Sequence, residues 1–329
     1  MAAIESSLPF IREAINVLDI SPASGPLIMA DFGSAHGLNS TYAMKKIIEY
    51  LQEFNKVDGK TQLLIVHNDL PTNDWKTVFE LLNRNNSYYS VASGRSFYES
   101  CLPSDSLSIG YSSNSIHWLS RKPCNISNHC IASFAQGDEL KAYQEQARLD
   151  YTQFIKQRVR ELKVGGVFIL TNFSVNEQGL NGIENSMNVL YQCAQSLSLL
   201  TPQELLDYSI PMYNRSLNEC VDLQLFHQCS LTLIKSSLVE VKTPLYKQYT
   251  NGEISLDEFA RTRTQTTRTY TESPLRQALE DNGRLKEEVD NILTQFWTLY
   301  EQEVKKKPDD YKAIMYNTYL VLKKIKSEK

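Results

Sequence analysis

Asp31, Gly33 and Gly37 stand close together directly after four apolar residues, Leu27 to Ala30. A carboxylate beside a glycine turn can hold a cation or accept hydroxyl hydrogen bonds. Asn39, Ser40 and Thr41 follow and offer helix N-cap oxygens. Two more polar groups recur at comparable places. Asp69 and Leu70 sit in His67-Asn68-Asp69-Leu70-Pro71, just past the apolar Gln62 to Val66. Ser96 and Phe97 follow Tyr88 to Ala92 in the same way. Further on, Ser112-Ser113-Asn114-Ser115 leads into Ile116-His117-Trp118-Leu119, which joins small polar residues to an imidazole and an indole.

The elements that must position these groups are legible as alternating strands and helices. Short apolar runs predict strands at Leu27 to Ala30, Gln62 to Val66, Tyr88 to Ala92, Ser106 to Tyr111 and Val167 to Leu170. Apolar residues at helical spacing predict helices at Pro9 to Leu18, Asn39 to Phe54, Asp74 to Asn83 and about Glu139 to Leu162. Such alternation implies a parallel, doubly wound α/β sheet. Gly179 to Leu223 reads as mostly helical with interruptions at Pro202 and Pro211, Cys229 to Ile234 as a further strand, and Asp257 to the C-terminus as helical and charged. The expected organisation is one domain over 1–329. Its sheet core lies at about 25–172 plus 225–240, and a helical cap at about 173–224 and 241–285 roofs the carboxyl ends of the strands.

In an open sheet of this kind ligands sit at those carboxyl ends. The spacing Asp31-x-Gly33-x-x-x-Gly37 is not the G-x-G-x-x-G of a dinucleotide turn, and no G-x-x-x-x-G-K-[ST] phosphate loop is present. The turn has no basic residue, so a phosphate is poorly served. A ribose with a cationic tail fits better. Asp69 can accept both ribose hydroxyls, Asp31 can bind the amino group of an amino-acid tail, and Ser96-Phe97 can hydrogen-bond and stack an adenine. Together the three strand ends describe S-adenosylmethionine (SAM).

Composition excludes several other classes. Of 329 residues, 42% are hydrophobic and 22% charged, ordinary for a globular protein. The net charge of −4 argues against non-specific nucleic-acid binding, which needs a basic surface. No apolar run is long enough to span a membrane, and the start reads as no secretory signal. The six Cys form no CxxC pair and the five His do not join them at ligand spacing, so reduced thiols, no metal and a cytoplasmic location are expected.

The residues also resemble the SABATH methyltransferases, which methylate carboxyl groups of small acids or, in some members, xanthine-alkaloid nitrogens. The resemblance is carried by the opening stretch, by HNDLPTNDW and by GRSFYESCLPSDSLSIGYSSNSIHWLSRKP; YSIPMYNRSLNE and RTYTESPL match more weakly. It implies a class I methyltransferase (Rossmann-like) fold. It implies SAM contacts from Asp31, Gly33, Ser34, Asn39, Asp69, Leu70, Ser96, Phe97 and Ser113, and substrate contacts from Asn114, His117 and Trp118. It also implies a homodimer. Asn128 falls where some plant members hold magnesium, but its flanking residues match poorly and no metal is assigned. The family's N-terminal clamp, roughly Y-x-x-N-S-x-x-Q, is not recognisable in Met1 to Ile20; its Tyr after the paired Ser is Asn114 here, and the Cys of its first motif is Ser34.

The expected reaction is methyl transfer from SAM to a small-molecule carboxylic acid. A carboxylate is already ionised at neutral pH, so no general base is required. The indole N–H of Trp118 donates and cannot take a proton, which suits holding a carboxylate oxygen, and His117 can donate a second hydrogen bond. Two other readings stay open: a hydroxyl or ring-nitrogen acceptor with His117 as base, and a SAM-binding protein without catalysis.

Overall fold

The computed structural model describes residues 2–20, 25–82, 88–312 and 314–326. Strands β1 (Leu27–Phe32), β2 (Leu63–Asp69), β3 (Tyr89–Gly94), β4 (Leu107–Ser113), β5 (Leu162–Ser174), β6 (Leu231–Lys242) and β7 (Ile314–Lys324) form one sheet in the order β3-β2-β1-β4-β5-β7-β6. The pairs from β3 to β5 are parallel. β7 runs antiparallel between β5 and β6. The helices are α1 (Ala2–Val17), α2 (Leu38–Glu53), α3 (Trp75–Leu82), α4 (Gly137–Glu161), α5 (Glu184–Ser196), α6 (Pro202–Asp207), α7 (Leu217–Cys220), α8 (Leu223–Gln228), α9 (Pro244–Thr250), α10 (Leu256–Asp281) and α11 (Lys286–Lys306).

Both faces of the sheet are buried, so its central strands read as continuous apolar runs. Successive side chains point to opposite faces. Met29, Ile65, Ile109, Val167, Ile169, Tyr319 and Val321 pack with α1 and α2 in one core. Ala30, Phe32, Val66, Phe168, Leu170, Leu320 and Leu322 pack with Phe154 and Ile155 of α4 and Phe226 of α8 in another. A third core joins α5, α10 and α11 into the helical cap, around Met187, Leu190, Phe259, Leu279, Phe296 and Trp297.

Three expectations need correction. The chain from Asp257 onward is helical only as far as Lys306; Ile314–Lys324 is a strand inside the sheet. Its apolar residues alternate between two cores, so it shows neither the spacing of a helix face nor the polar alternation of an edge strand. The predicted N-cap at Asn39 to Thr41 is displaced. α2 begins at Leu38 after Gly37, whose φ of +86° favours glycine, and Ser40 reaches instead to His67 Nδ1 at 2.8 Å. The N-terminal helix is also longer than Pro9 to Leu18. It begins at Ala2 and carries Pro9 internally, and the added turns reach the ligand cavity.

Candidate active site

The strand order reverses between β1 and β4, where connections leave in opposite directions and open a crevice at the carboxyl ends. A cavity of about 970 Å³ fills that crevice. Asp31, Gly33, Ser34, Asn39, Asp69, Leu70, Ser96, Phe97, Ser113, Asn114 and Trp118 all line it. Of the predicted residues only His117 lies outside the lining. Its ring is buried 5.4 Å from that of Trp118 and 6.0 Å from that of Phe173.

The turn after β1 is built by close approach. Gly33 has φ +91°, and a Cβ there would lie 2.0 Å from Ser115 Oγ, so no other residue fits. The Gly33 and Ser34 amides both donate to the Asn68 carbonyl at 2.9 Å. Ala35 holds φ +47°, a conformation unusual for a residue with a Cβ. Its amide donates to Asp69 Oδ2 at 2.7 Å, and its carbonyl accepts from Asn73 Nδ2 at 2.7 Å. Asp69 Oδ1 accepts from the Leu70 amide at 2.8 Å. A carboxylate offers about four acceptor positions, so Asp69 keeps acceptor capacity for ligand hydroxyls.

Asp31 is 3% exposed, and one of its oxygens, Oδ1, is buried without a hydrogen-bond partner. Burial is the main cause that pushes its pKa up to about 7; the Asp69 charge adds to the rise and a hydrogen bond from Ser40 opposes it. Ser34 Oγ is likewise buried without a partner. A buried acceptor that is left unpaired carries a desolvation cost that a bound donor relieves. The ammonium of an amino-acid tail meets that need at Asp31, so the residues present fit the tail of SAM.

The loop that carries Ser96 and Phe97 is pinned by a buried ion pair. Arg158 Nε lies 2.8 Å from Glu161 Oε2, with both side chains almost fully buried. Arg158 donates to the carbonyls of Phe97 and Glu99, and Glu161 accepts from the amides of Cys101 and Leu102. Phe97 packs edge-on against Phe154 at 5.9 Å.

On the opposite side, Trp118 is set by a strap at residues 210–215. The Leu119 amide donates to the Pro211 carbonyl and the Tyr213 amide to that of His117, each at 2.8 Å. Buried Arg215 donates to the Ile116 carbonyl at 2.6 Å, and Tyr98 Oη to the Trp118 carbonyl at 2.5 Å. Asn114, at φ +51°, accepts from Asn317 of β7 at 3.0 Å. Burial lowers the pKa of His117 to about 3, with Arg215 contributing.

Several lining residues escaped the sequence reading. Tyr111 and Ser115 adjoin recognised motifs and could have been found by strand alternation. Ala2, Ala3 and Ile4 of α1 reach the cavity although the clamp pattern is not recognisable there. Arg263, Thr262 and Thr266 lie in the stretch after Asp257 that reads only as helical and charged.

The sheet order with its antiparallel β7 and the crevice at its strand ends define a class I, Rossmann-like methyltransferase fold. The chain belongs to the family of SAM-dependent carboxyl methyltransferases, whose pattern matches residues 1–325. Among curated relatives, the loganic acid O-methyltransferase of Catharanthus roseus is 29% identical over 51% of this chain and 49% of its own. A benzoic acid/salicylic acid carboxyl methyltransferase of Petunia hybrida is 32% identical over 50% and 51% respectively. The farnesoic acid carboxyl-O-methyltransferase of Arabidopsis thaliana is 28% identical over 64% and 65%. The match therefore spans about half to two thirds of these relatives' length. A solved structure of loganic acid methyltransferase with SAH superposes with a TM-score of 0.80 at 21% identity, covering 99% of this chain and 94% of that one. The expected fold and family are both met.

Proposed function

We propose that this protein transfers the methyl group of SAM to the carboxylate of a small organic acid, giving a methyl ester. The observation that carries the reading is the pairing, in one cavity, of the unsatisfied buried Asp31 with Trp118, a donor that cannot act as a base. When bound, SAM supplies an electrophilic methyl on a sulfonium. Asp31 holds its ammonium, Asp69 its ribose hydroxyls, and Ser96 and Phe97 its adenine; Gly33, Ser34, Asn39, Leu70 and Ser113 shape the rest of that half. Trp118 and Asn114 orient the acceptor carboxylate with a lone pair directed at the methyl. The cap and α1 exclude water from the reacting carboxylate, and positioning of this kind supplies several kcal/mol of a displacement barrier.

His117 acts as a positioning residue. Its imidazole is buried against Trp118 outside the cavity lining, and a pKa of about 3 makes it a poor base. That disfavours a hydroxyl acceptor needing deprotonation. The same reading extends to a homodimer in the cytosol. The dimer follows from the family resemblance alone; the cytosolic part is supported by six free cysteines, and no helix among the described residues is long and apolar enough to cross a membrane.

A SAM-dependent turnover screen over small carboxylic acids, read by mass spectrometry of the ester, tests the proposal. With an acid in hand, Trp118→Phe is expected to lower turnover about 100-fold, as loss of one oriented donor does, while SAH affinity stays within about twofold. Methylation confined to phenols or amines overturns the carboxylate reading.

A further inference from the structure

Arg263 gives the cavity wall a positive charge that a site for one simple acid does not require. It lies on α10, is 7% exposed, and lines the same cavity as Trp118. Its Nη2 donates to Ser186 Oγ at 3.2 Å, and its guanidinium carbon stands 5.8 Å from the centre of the Tyr311 ring. Its Nε is buried without a hydrogen-bond partner.

The other buried arginines are served differently. Arg158 is paired with Glu161, and Arg215 is held by two backbone carbonyls at 2.6 Å. Among the described residues no carboxylate forms an ion pair with Arg263. A guanidinium presents five donors, and a buried charge without a counter-ion is costly. The neighbouring wall is polar but neutral, from Thr262, Thr266 and Gln248. An anion entering the cavity would supply the missing partner.

We propose that Arg263 is the subsite for a second, non-reacting carboxylate, and that the acceptor is therefore a small dicarboxylic acid methylated at one end. The inference rests on the carboxyl-methylation reading. The reacting carboxylate itself is a poor occupant of this subsite. A fork of charged donors on both its oxygens would draw off the negative charge that attack on the methyl requires. Esterification would then remove the counter-ion and leave the buried guanidinium unpaired in the product complex. A remote carboxylate keeps its charge through the reaction, so the pair persists in substrate, transition state and product.

Calorimetry and turnover test this together. Straight-chain dicarboxylates of increasing length, and their half-amides, are titrated into the SAH complex and assayed with SAM. In the wild type, one chain length is expected to bind and turn over roughly 30-fold or more better than its half-amide, the ratio a buried hydrogen-bonded charge pair gives. Arg263→Gln is expected to erase that ratio through KM, Arg263→Lys to restore part of it, and both to keep SAH affinity. Equal kcat/KM for diacids and half-amides in the wild type overturns the subsite and leaves carboxyl methylation standing. Arg263-dependent diacid binding with no ester formed overturns carboxyl methylation and leaves the subsite standing. Should the variants fail to bind SAH, the wild-type ratio alone decides.

Discussion

In the proposed function Asp31 serves binding at the expense of stability. Its pKa near 7 against an ordinary value of 3.8 means that burial disfavours its charged form. A carboxyl whose folded pKa is raised leaves the fold undisturbed below its ordinary range and weakens it as pH rises through the folded pKa. Asp31→Asn is therefore expected to stabilise the ligand-free protein at pH 8 by on the order of 2–4 kcal/mol. The gain should fade towards pH 4, as denaturant melts at both pH values would show. A cation binds the ionised form, so wild-type SAH affinity should rise from pH 5.5 to 7.5, by up to about tenfold per unit below pH 7. Asp31→Asn should bind SAH weakly and without that dependence. Calorimetry across the range decides, and a flat wild-type profile would remove the assigned role. Asp31 as a carboxylate at a strand end was legible in the sequence. Its missing partner was not, because that depends on which atoms fold against it.

At the scale of elements, the site is carried by supports distant in sequence. The Arg158–Glu161 pair on the last turn of α4 holds the Phe97 loop through four backbone groups. Arg158→Met leaves a buried carboxylate uncompensated, and breaking such a pair costs about 3–5 kcal/mol. The variant is expected to lose that stability in urea unfolding and to bind SAH more weakly, because the Phe97 loop loses its anchor. An unchanged midpoint would show the pair to be dispensable. The strap at 210–215 sets Trp118 in the same way, which gives the weak match YSIPMYNRSLNE a mechanical meaning. The early strands were legible because each is a short apolar run that ends in a polar turn. β7 was not. Its residues feed two cores at once, and its partners β5 and β6 are set by long-range pairing that no local pattern encodes.

The whole molecule closes one cavity with three bodies: the strand ends, the first turn of α1, and the cap helices α9 and α10. A ligand held there ties sheet to cap. At 100 times its Kd, SAH should stabilise the fold by about 2.7 kcal/mol, which for a chain of this size raises Tm by several degrees. Asp69 couples the turns after β1 and β2 through Ala35, and the proposed function gives it the ribose hydroxyls as well. Asp69→Ala is therefore expected to abolish the SAH-induced shift while lowering the ligand-free Tm only slightly. A retained shift in differential scanning fluorimetry would contradict the ribose assignment. At this scale the net charge of −4 does not conflict with the proposed anionic substrate, because Arg263 is buried and lines the cavity.

The sequence by itself determined the α/β class, the strand-end positions of Asp31, Asp69 and Ser96-Phe97, and the cofactor they imply. Those features are local, since a turn and the residue that ends a strand are written within a few positions of each other. Only the tertiary structure decided that β7 inserts into the sheet, that α1 reaches the cavity without a recognisable clamp, and that His117 lies behind Trp118 rather than in the cavity wall. It also decided that Arg263, one of four arginines of α10, is buried at the cavity wall with no ion-paired carboxylate among the described residues. Burial and pairing are relations between distant segments, and their physical consequences arise only when packing removes water from both.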